Sequence, residues 1–508
     1  MRIFKSRWVR RAVALPVALS LFIGAQMALA APGTYVQISG AGSTWSQNAL
    51  DQWRKNVAAN YGMTVNYTGT GSSAGRAEFI KQTVDFAVSE IPFQSAPEDG
   101  SAPEVSPVTF AYMPIVAGGT SLMYNLKIAG KRVTNLRLSG EVITKIFTGK
   151  ITNWNDAAIA ADNPGLAMPD KSIVVVARSD GSGSSAQFTL WMSKKFGSIW
   201  TYGLRSQYPQ ISGFKYQAGS NGVSGYVSQD YGEGAITYVE YSYALEAGFP
   251  VAKVLNDSNY YVEPTAQSVA VALLSAKINN DLTQNLDGVY SNSDARSYPL
   301  SSYSYMIVPT QTTRVFTAQK GTTLGAFAKY MLCEGQQQAE ALGYSPLPMN
   351  LVQSGFDQIR KIPGAEGTSV DLASCNNPTF KPGDSPSSNL LATTAPQPAA
   401  CDKKGANQCT TGTAGAAGTE TDITGSGSGG SALGSSGGSS GGSGGSGGSA
   451  SGGSSGAVTG GASPFALPDD PWGGQQFLMV LAALFVVGVV AVPPLLWNRL
   501  PRRFRSRN

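Results

Sequence analysis

The chain has 508 residues and a formal charge of +5, but that sign is an artefact of its ends. Five basic residues lie in the first 30 positions and five in the last 11, with no acid in either stretch, leaving 27 basic against 32 acidic residues between them. An acidic middle offers no nucleic-acid surface. The absence of histidine excludes Ser-His-Asp and Cys-His catalysis and the usual histidine-bearing zinc sites.

Residues 1–30 read as a secretory signal peptide. Arg2, Lys5, Arg7, Arg10 and Arg11 precede an apolar run from Ala12 to Ile23, and Ala28-Leu-Ala30 supplies small residues for cleavage before Ala31. No cysteine stands there to carry a lipid.

Three Gly/Ser turns then each join a short β-branched strand to a helix. Val36-Gln-Ile-Ser-Gly-Ala-Gly-Ser-Thr44 leads into a helix beginning near Trp45 and covering Gln47 to Asn60. Thr64-Val-Asn-Tyr-Thr-Gly-Thr-Gly-Ser-Ser73 leads into a helix carrying Arg76 and Phe79. Ile173-Val-Val-Val-Ala-Arg-Ser-Asp-Gly-Ser-Gly-Ser-Ser185 leads into a helix over Ser184 to Ser193 with Ser184 as its cap. A strand-to-helix turn of this kind aims backbone N–H groups and the positive helix end at one point. Ser182 and Ser184 add hydroxyl donors, and Arg178 can hold two oxygens in fork geometry. The chemistry suits a small oxyanion.

These blocks carry a resemblance. Gly40-Ala-Gly-Ser-Thr44, Val65-Asn-Tyr-Thr-Gly-Thr-Gly-Ser-Ser73, Thr83-Val-Asp-Phe-Ala-Val-Ser89 and Arg178-Ser-Asp-Gly-Ser-Gly-Ser184 are similar to signature blocks of the phosphate-binding receptors of ABC phosphate importers, the PstS-like family. Gly219-Ser-Asn-Gly-Val223, Gly234-Ala-Ile-Thr-Tyr-Val-Glu-Tyr-Ser-Tyr-Ala244 and Leu342-Gly-Tyr-Ser-Pro-Leu-Pro348 follow in the family's order, and the likeness spans roughly residues 35 to 360. It implies an α/β, two-lobed periplasmic-binding-protein fold with a hinge, over residues 31–375. Lobe one would take about 35–113 and 302–375, and lobe two about 114–301, with crossings near Ala111 to Ile115 and Tyr298 to Ser302. It also implies phosphate contacts at Thr44, Trp45 (through its backbone N–H), Ser72, Arg178, Ser182, Gly183 and Ser184, with Asp180 steadying the arginine. Glu90 stands where the family has an aspartate that accepts the hydrogen of protonated phosphate. Trp45 replaces a commoner phenylalanine and Ser184 a commoner threonine.

Such a receptor binds inorganic phosphate or a related oxyanion, needs no cofactor or metal, catalyses nothing, and delivers its ligand to an ABC importer complex in the membrane. Two other readings fit parts of the chain. An enzyme using one of the serines would need Asp, Glu or Lys as its base. A surface sensor or adhesin would keep the fold with a different or lost ligand.

Cys333, Cys375, Cys401 and Cys409 all lie in the exported part, where disulfides form. Cys333–Cys375 with Cys401–Cys409 is the simplest of three connectivities. Residues 376–470, rich in Gly and Ser from Gly425 to Gly461, read as a disordered linker. Phe477 to Trp497 is 21 residues without a charge, the length of a transmembrane helix. Arg499, Arg502, Arg503, Arg505 and Arg507 follow in the tail 498–508, which predicts a single-pass protein in the cell membrane with a cytoplasmic C-terminus and its bulk outside.

Overall fold

The computed structural model describes residues 35–365, 372 and 375–421. The expected signal peptide, the linker beyond 421, the transmembrane helix and the basic tail lie outside the described residues. Among the described residues no helix is long and apolar enough to cross a membrane.

The strand-turn-helix pattern read from the sequence recurs as β1 (Ile38–Gly42), α1 (Gln47–Tyr61), β2 (Val65–Thr68) and α2 (Ser72–Ile80). Then come β3 (Phe86–Ser89), the long β4 (Phe110–Tyr124), β5 (Val174–Arg178) and α3 (Gly183–Phe196). β6 (Lys215–Gln217), α4 (Gly219–Ser228), β7 (Ala235–Glu240), α5 (Ala266–Leu273) and β8 (Ser301–Pro309) complete the framework. α1 forms because Ala49, Leu50, Trp53 and Val57 fall on one face and bury together.

The main sheet runs β2-β1-β3-β8-β4-β7-β5-β6. β1 pairs in parallel with β2 and β3, and β5 pairs in parallel with β7 and β6. These two parallel groups are the sheets of two lobes, and β4 joins them. From Phe110 to Gly119 it pairs antiparallel with β8, and from Thr120 to Tyr124 with β7. The hand-over falls at Gly119–Thr120, a few residues beyond the expected crossing near Ala111 to Ile115. β8 begins at Ser301, inside the expected return region.

Two glycines mark this point because nothing larger fits. A Cβ on Gly118 would lie 2.7 Å from the Trp45 ring, and one on Gly119 2.5 Å from Pro264. Elsewhere β4 is almost wholly buried, as a strand covered on both faces must be.

The disulfides are Cys333–Cys375 and Cys401–Cys409. Residues 376–421, however, are not linker: they pack on the domain. Thr379 Oγ1 donates to Leu347 O at 2.8 Å, on the side of lobe one. Leu391 and Ala392, on the short helix Leu390–Thr394, pack against Ala266, Ala270 and Val271 of α5. On lobe two, the buried Arg137 donates to the carbonyls of Cys401 and Asn407 at 3.1 and 2.8 Å, and Lys253 pairs with Asp402 at 2.8 Å. Thr134 N–H donates to Thr421 Oγ1 at 2.9 Å. The second disulfide therefore closes a loop docked on lobe two. Apolar Leu391 and Ala414, with carbonyls that satisfy a buried arginine, hold a segment whose Ala-, Thr- and Pro-rich composition hid it.

Candidate functional site

The three Gly/Ser turns converge between the lobes, joined by a fourth helix start, that of α4. On lobe one, Ser72 opens α2 and donates its hydroxyl to Glu90 Oε2 at 2.9 Å. Glu90 Oε1 accepts from the hydroxyls of Ser43 and, at 2.9 Å, Ser304. The carboxyl is fully buried, and burial pushes its pKa up from 4.5 while the three hydroxyls pull it back; the net shift is upward.

On lobe two, Arg178 ends β5 and donates Nε to Asp180 Oδ1 at 2.8 Å and Nη2 to Asp180 Oδ2 at 2.5 Å. Burial alone would raise the Asp180 pKa, but the arginine's bonds and charge, with the Gly219 N–H, hold it below its usual value. The turn after Asp180 starts α3 one residue earlier than expected. Ser182, not Ser184, is the cap, accepting from Ser185 N–H at 3.2 Å. Ser184 Oγ is buried and has no hydrogen-bond partner.

The halves meet through short contacts. Gly183 N–H, the first of α3, donates to Ser72 Oγ at 3.0 Å. Ser73 N–H donates to Gly181 O at 3.0 Å. Ser220, at the start of α4, donates its N–H to Thr44 Oγ1 at 3.0 Å, and its own hydroxyl lies 3.4 Å from Arg178 Nη1. Gly183 must be glycine here, since a Cβ would sit 2.1 Å from Glu90 Oε2.

The structure thus brings Thr44, Ser72, Glu90, Arg178, Asp180, Ser182, Gly183 and Ser184 into one place. Trp45 stands in the first turn beside them. Its backbone N–H is used within the turn, donating to Ser43 Oγ at 3.0 Å, and its ring is core, with Nε1 donating to Thr120 Oγ1 at 3.2 Å at the hinge. Sequence reasoning missed four residues. Ser43 and Ser220 sat inside blocks already noted. Ser304 on β8 and Gln187, whose Nε2 donates to the Glu90 carbonyl at 2.8 Å, carry no local signal because only folding places them there.

Comparison with known proteins decides the family. The PBP superfamily domain matches residues 29–334. The phosphate-binding protein PstS of Xylella fastidiosa strain Temecula1 is 36% identical over 323 residues, 63% of this chain and 83% of that protein. The chain belongs to the PstS-like family. PstS of Pasteurella multocida is 32% identical over 328 residues, covering 62% of this chain and 88% of its own. A phosphate-binding protein from Stenotrophomonas maltophilia has a crystal structure similar at a TM-score of 0.47 and 17% identity, over 63% of this chain and 93% of that one. Both PstS relatives are named as phosphate-binding proteins.

Proposed function

We propose that this chain is a membrane-anchored extracellular receptor for inorganic phosphate that serves an ABC importer. The observation carrying the reading is the meeting of the helix starts at Ser72, Gly183 and Gly219, with Gly183 N–H on Ser72 Oγ and Gly219 N–H on the Asp180 that pairs the buried Arg178, and with the Ser184 hydroxyl buried and unpartnered. N-terminal N–H groups, helix dipoles and a guanidinium are donors only, so their common ligand is an anion. Thr44, Ser72, Arg178, Ser182, Gly183 and Ser184 bind it. The Trp45 N–H, held on Ser43 Oγ as the Gly183 N–H is held on Ser72 Oγ, belongs to the same set of donors.

Glu90 selects the protonation state. A carboxylate has about four acceptor positions. Ser43 and Ser304 use two on Oε1 and Ser72 one on Oε2, leaving one on Oε2 beside Gly183 for a ligand P–OH. Sulfate lacks that hydrogen and meets oxygen repulsion there.

Lobe closure traps the ligand because only the closed form assembles donors from both sides. The uncharged run 477–497 and the arginines after it support a single membrane span, with the stretch 422–470 as tether. Titration calorimetry of residues 31–421 tests the reading: one site for phosphate is expected, and no heat with phosphate against a clear signal from another oxyanion reassigns the ligand.

A further inference from the structure

Away from the anion loops, a second set of contacts crosses from lobe to lobe at Glu98. The connector between β3 and β4 is fixed to lobe one by the buried Arg76. Its Nε and Nη2 hold Glu104 Oε2 and Oε1 at 2.8 and 3.1 Å, and Glu104 in turn accepts from Gln94 N–H at 2.7 Å. The connector tip is tightened by Gly100 N–H donating to Pro97 O and Ser101 N–H to Asp99 Oδ1. Glu98 projects from this tip to the segment between α3 and β6. Its Oε1 accepts from the N–H and hydroxyl of Ser206 and, at 3.3 Å, from Gln207 N–H. Its own carbonyl accepts from Arg205 Nη1 at 2.7 Å.

The segment so gripped supports the anion loop directly. Ser206 O accepts from Ser182 N–H at 2.9 Å, and Arg205 N–H donates to Thr189 Oγ1 of α3 at 2.8 Å. One carboxylate on lobe one thus holds the residue that positions the helix start of lobe two. These donors hold the Glu98 pKa below its usual value although burial alone would raise it, so the group is charged at neutral pH.

We propose that Glu98 is a positioning residue for anion binding, a latch that grips Ser206 across the lobes and holds the Ser182–Ser184 turn in place once the lobes close. The inference rests on the phosphate reading above and adds to it a closing contact that never touches the ligand. Its loss acts chiefly on release of the ligand, because the latch joins the lobes in the closed arrangement, which the phosphate-free protein also samples.

The test uses the full chain in detergent micelles, with wild type, E98A, E98Q, S206A and the E98A/S206A double variant. Binding and release of radiolabelled phosphate are measured, and backbone hydrogen exchange is followed in phosphate-free protein. E98A is expected to raise Kd about tenfold, chiefly through faster release, with E98Q between it and wild type. S206A in the E98A background should add little, since both remove one contact. Residues 204–208 and 182–185 should exchange faster in E98A without phosphate. Wild-type release rates in E98A, or additive effects of E98A and S206A, overturn the latch. If wild type fails to bind phosphate, that reading falls, and unchanged exchange at 182–185 and 204–208 in E98A then overturns the latch independently.

Discussion

Arg178 and Asp180 form a two-point ion pair within a single turn, Nε to Oδ1 and Nη2 to Oδ2, with the guanidinium 2% exposed. The pair leaves Nη1 turned to Ser220, at the helix start of α4. Arg178→Ala deletes one member of a buried charged pair, a change that costs about 2–5 kcal/mol of binding. Lysine there should rescue in part only, because it lacks the fork. Calorimetry on the two variants checks this, and near-normal affinity in the alanine variant would mean that this loop does not hold the ligand.

Gly183→Ala should harm binding more than folding. Alanine suits the first turn of a helix, but its Cβ would collide with Glu90 Oε2 and Ser72 Oγ when the lobes are shut. Overpacking of about 1–3 kcal/mol weakens phosphate binding about tenfold or more. The melting temperature of the phosphate-free protein should stay near wild type, and a thermal scan beside a phosphate titration separates the two effects.

Truncation after Cys375 should destabilise the protein, although the removed residues read as linker. Arg137 would lose the carbonyls of Cys401 and Asn407, Lys253 its partner Asp402, and Ala266, Ala270 and Val271 the apolar cover of Leu391 and Ala392. A fall in melting temperature of about 5 °C or more is expected against residues 31–421. Equal melting temperatures would show that the packed segment contributes nothing.

What the sequence revealed follows from where the information sits. Turns such as Gly181-Ser-Gly183 are local devices, so strand, turn, helix and most anion contacts were legible from residue type and order. Ser304 and Gln187 were not, because the β8 strand and the α3 helix bring them to Glu90 only through tertiary packing. The cap at Ser182 rather than Ser184 was misread because both serines, two positions apart, suit a cap. Residues 376–421 were misread because a composition of Ala, Thr, Pro and Gly with few large apolar residues runs on into the Gly/Ser stretch beyond them, while their stability comes from partners such as Arg137, distant in sequence.

The Glu90 carboxyl should make stability and function oppose each other. Its folded pKa lies above 4.5, so the folded state holds this proton more tightly than the unfolded chain. The stability it contributes is present below that value and is lost as pH rises through the folded pKa. Without phosphate, the melting temperature of wild type relative to Glu90→Gln should therefore increase as pH falls from 7 towards about 4.5. A difference that stays constant with pH would mean that Glu90 titrates normally.

Binding of phosphate and sulfate by wild type and Glu90→Gln, measured by calorimetry at one ionic strength, tests the central claim most directly. Wild type is expected to bind phosphate at one site and to reject sulfate, because the free position on Glu90 Oε2 accepts a hydrogen that only phosphate carries at neutral pH. The glutamine variant should lose much of that preference, since an amide can donate to either anion. Equal binding of both anions by wild type, or full selectivity retained by the glutamine variant, would contradict the account.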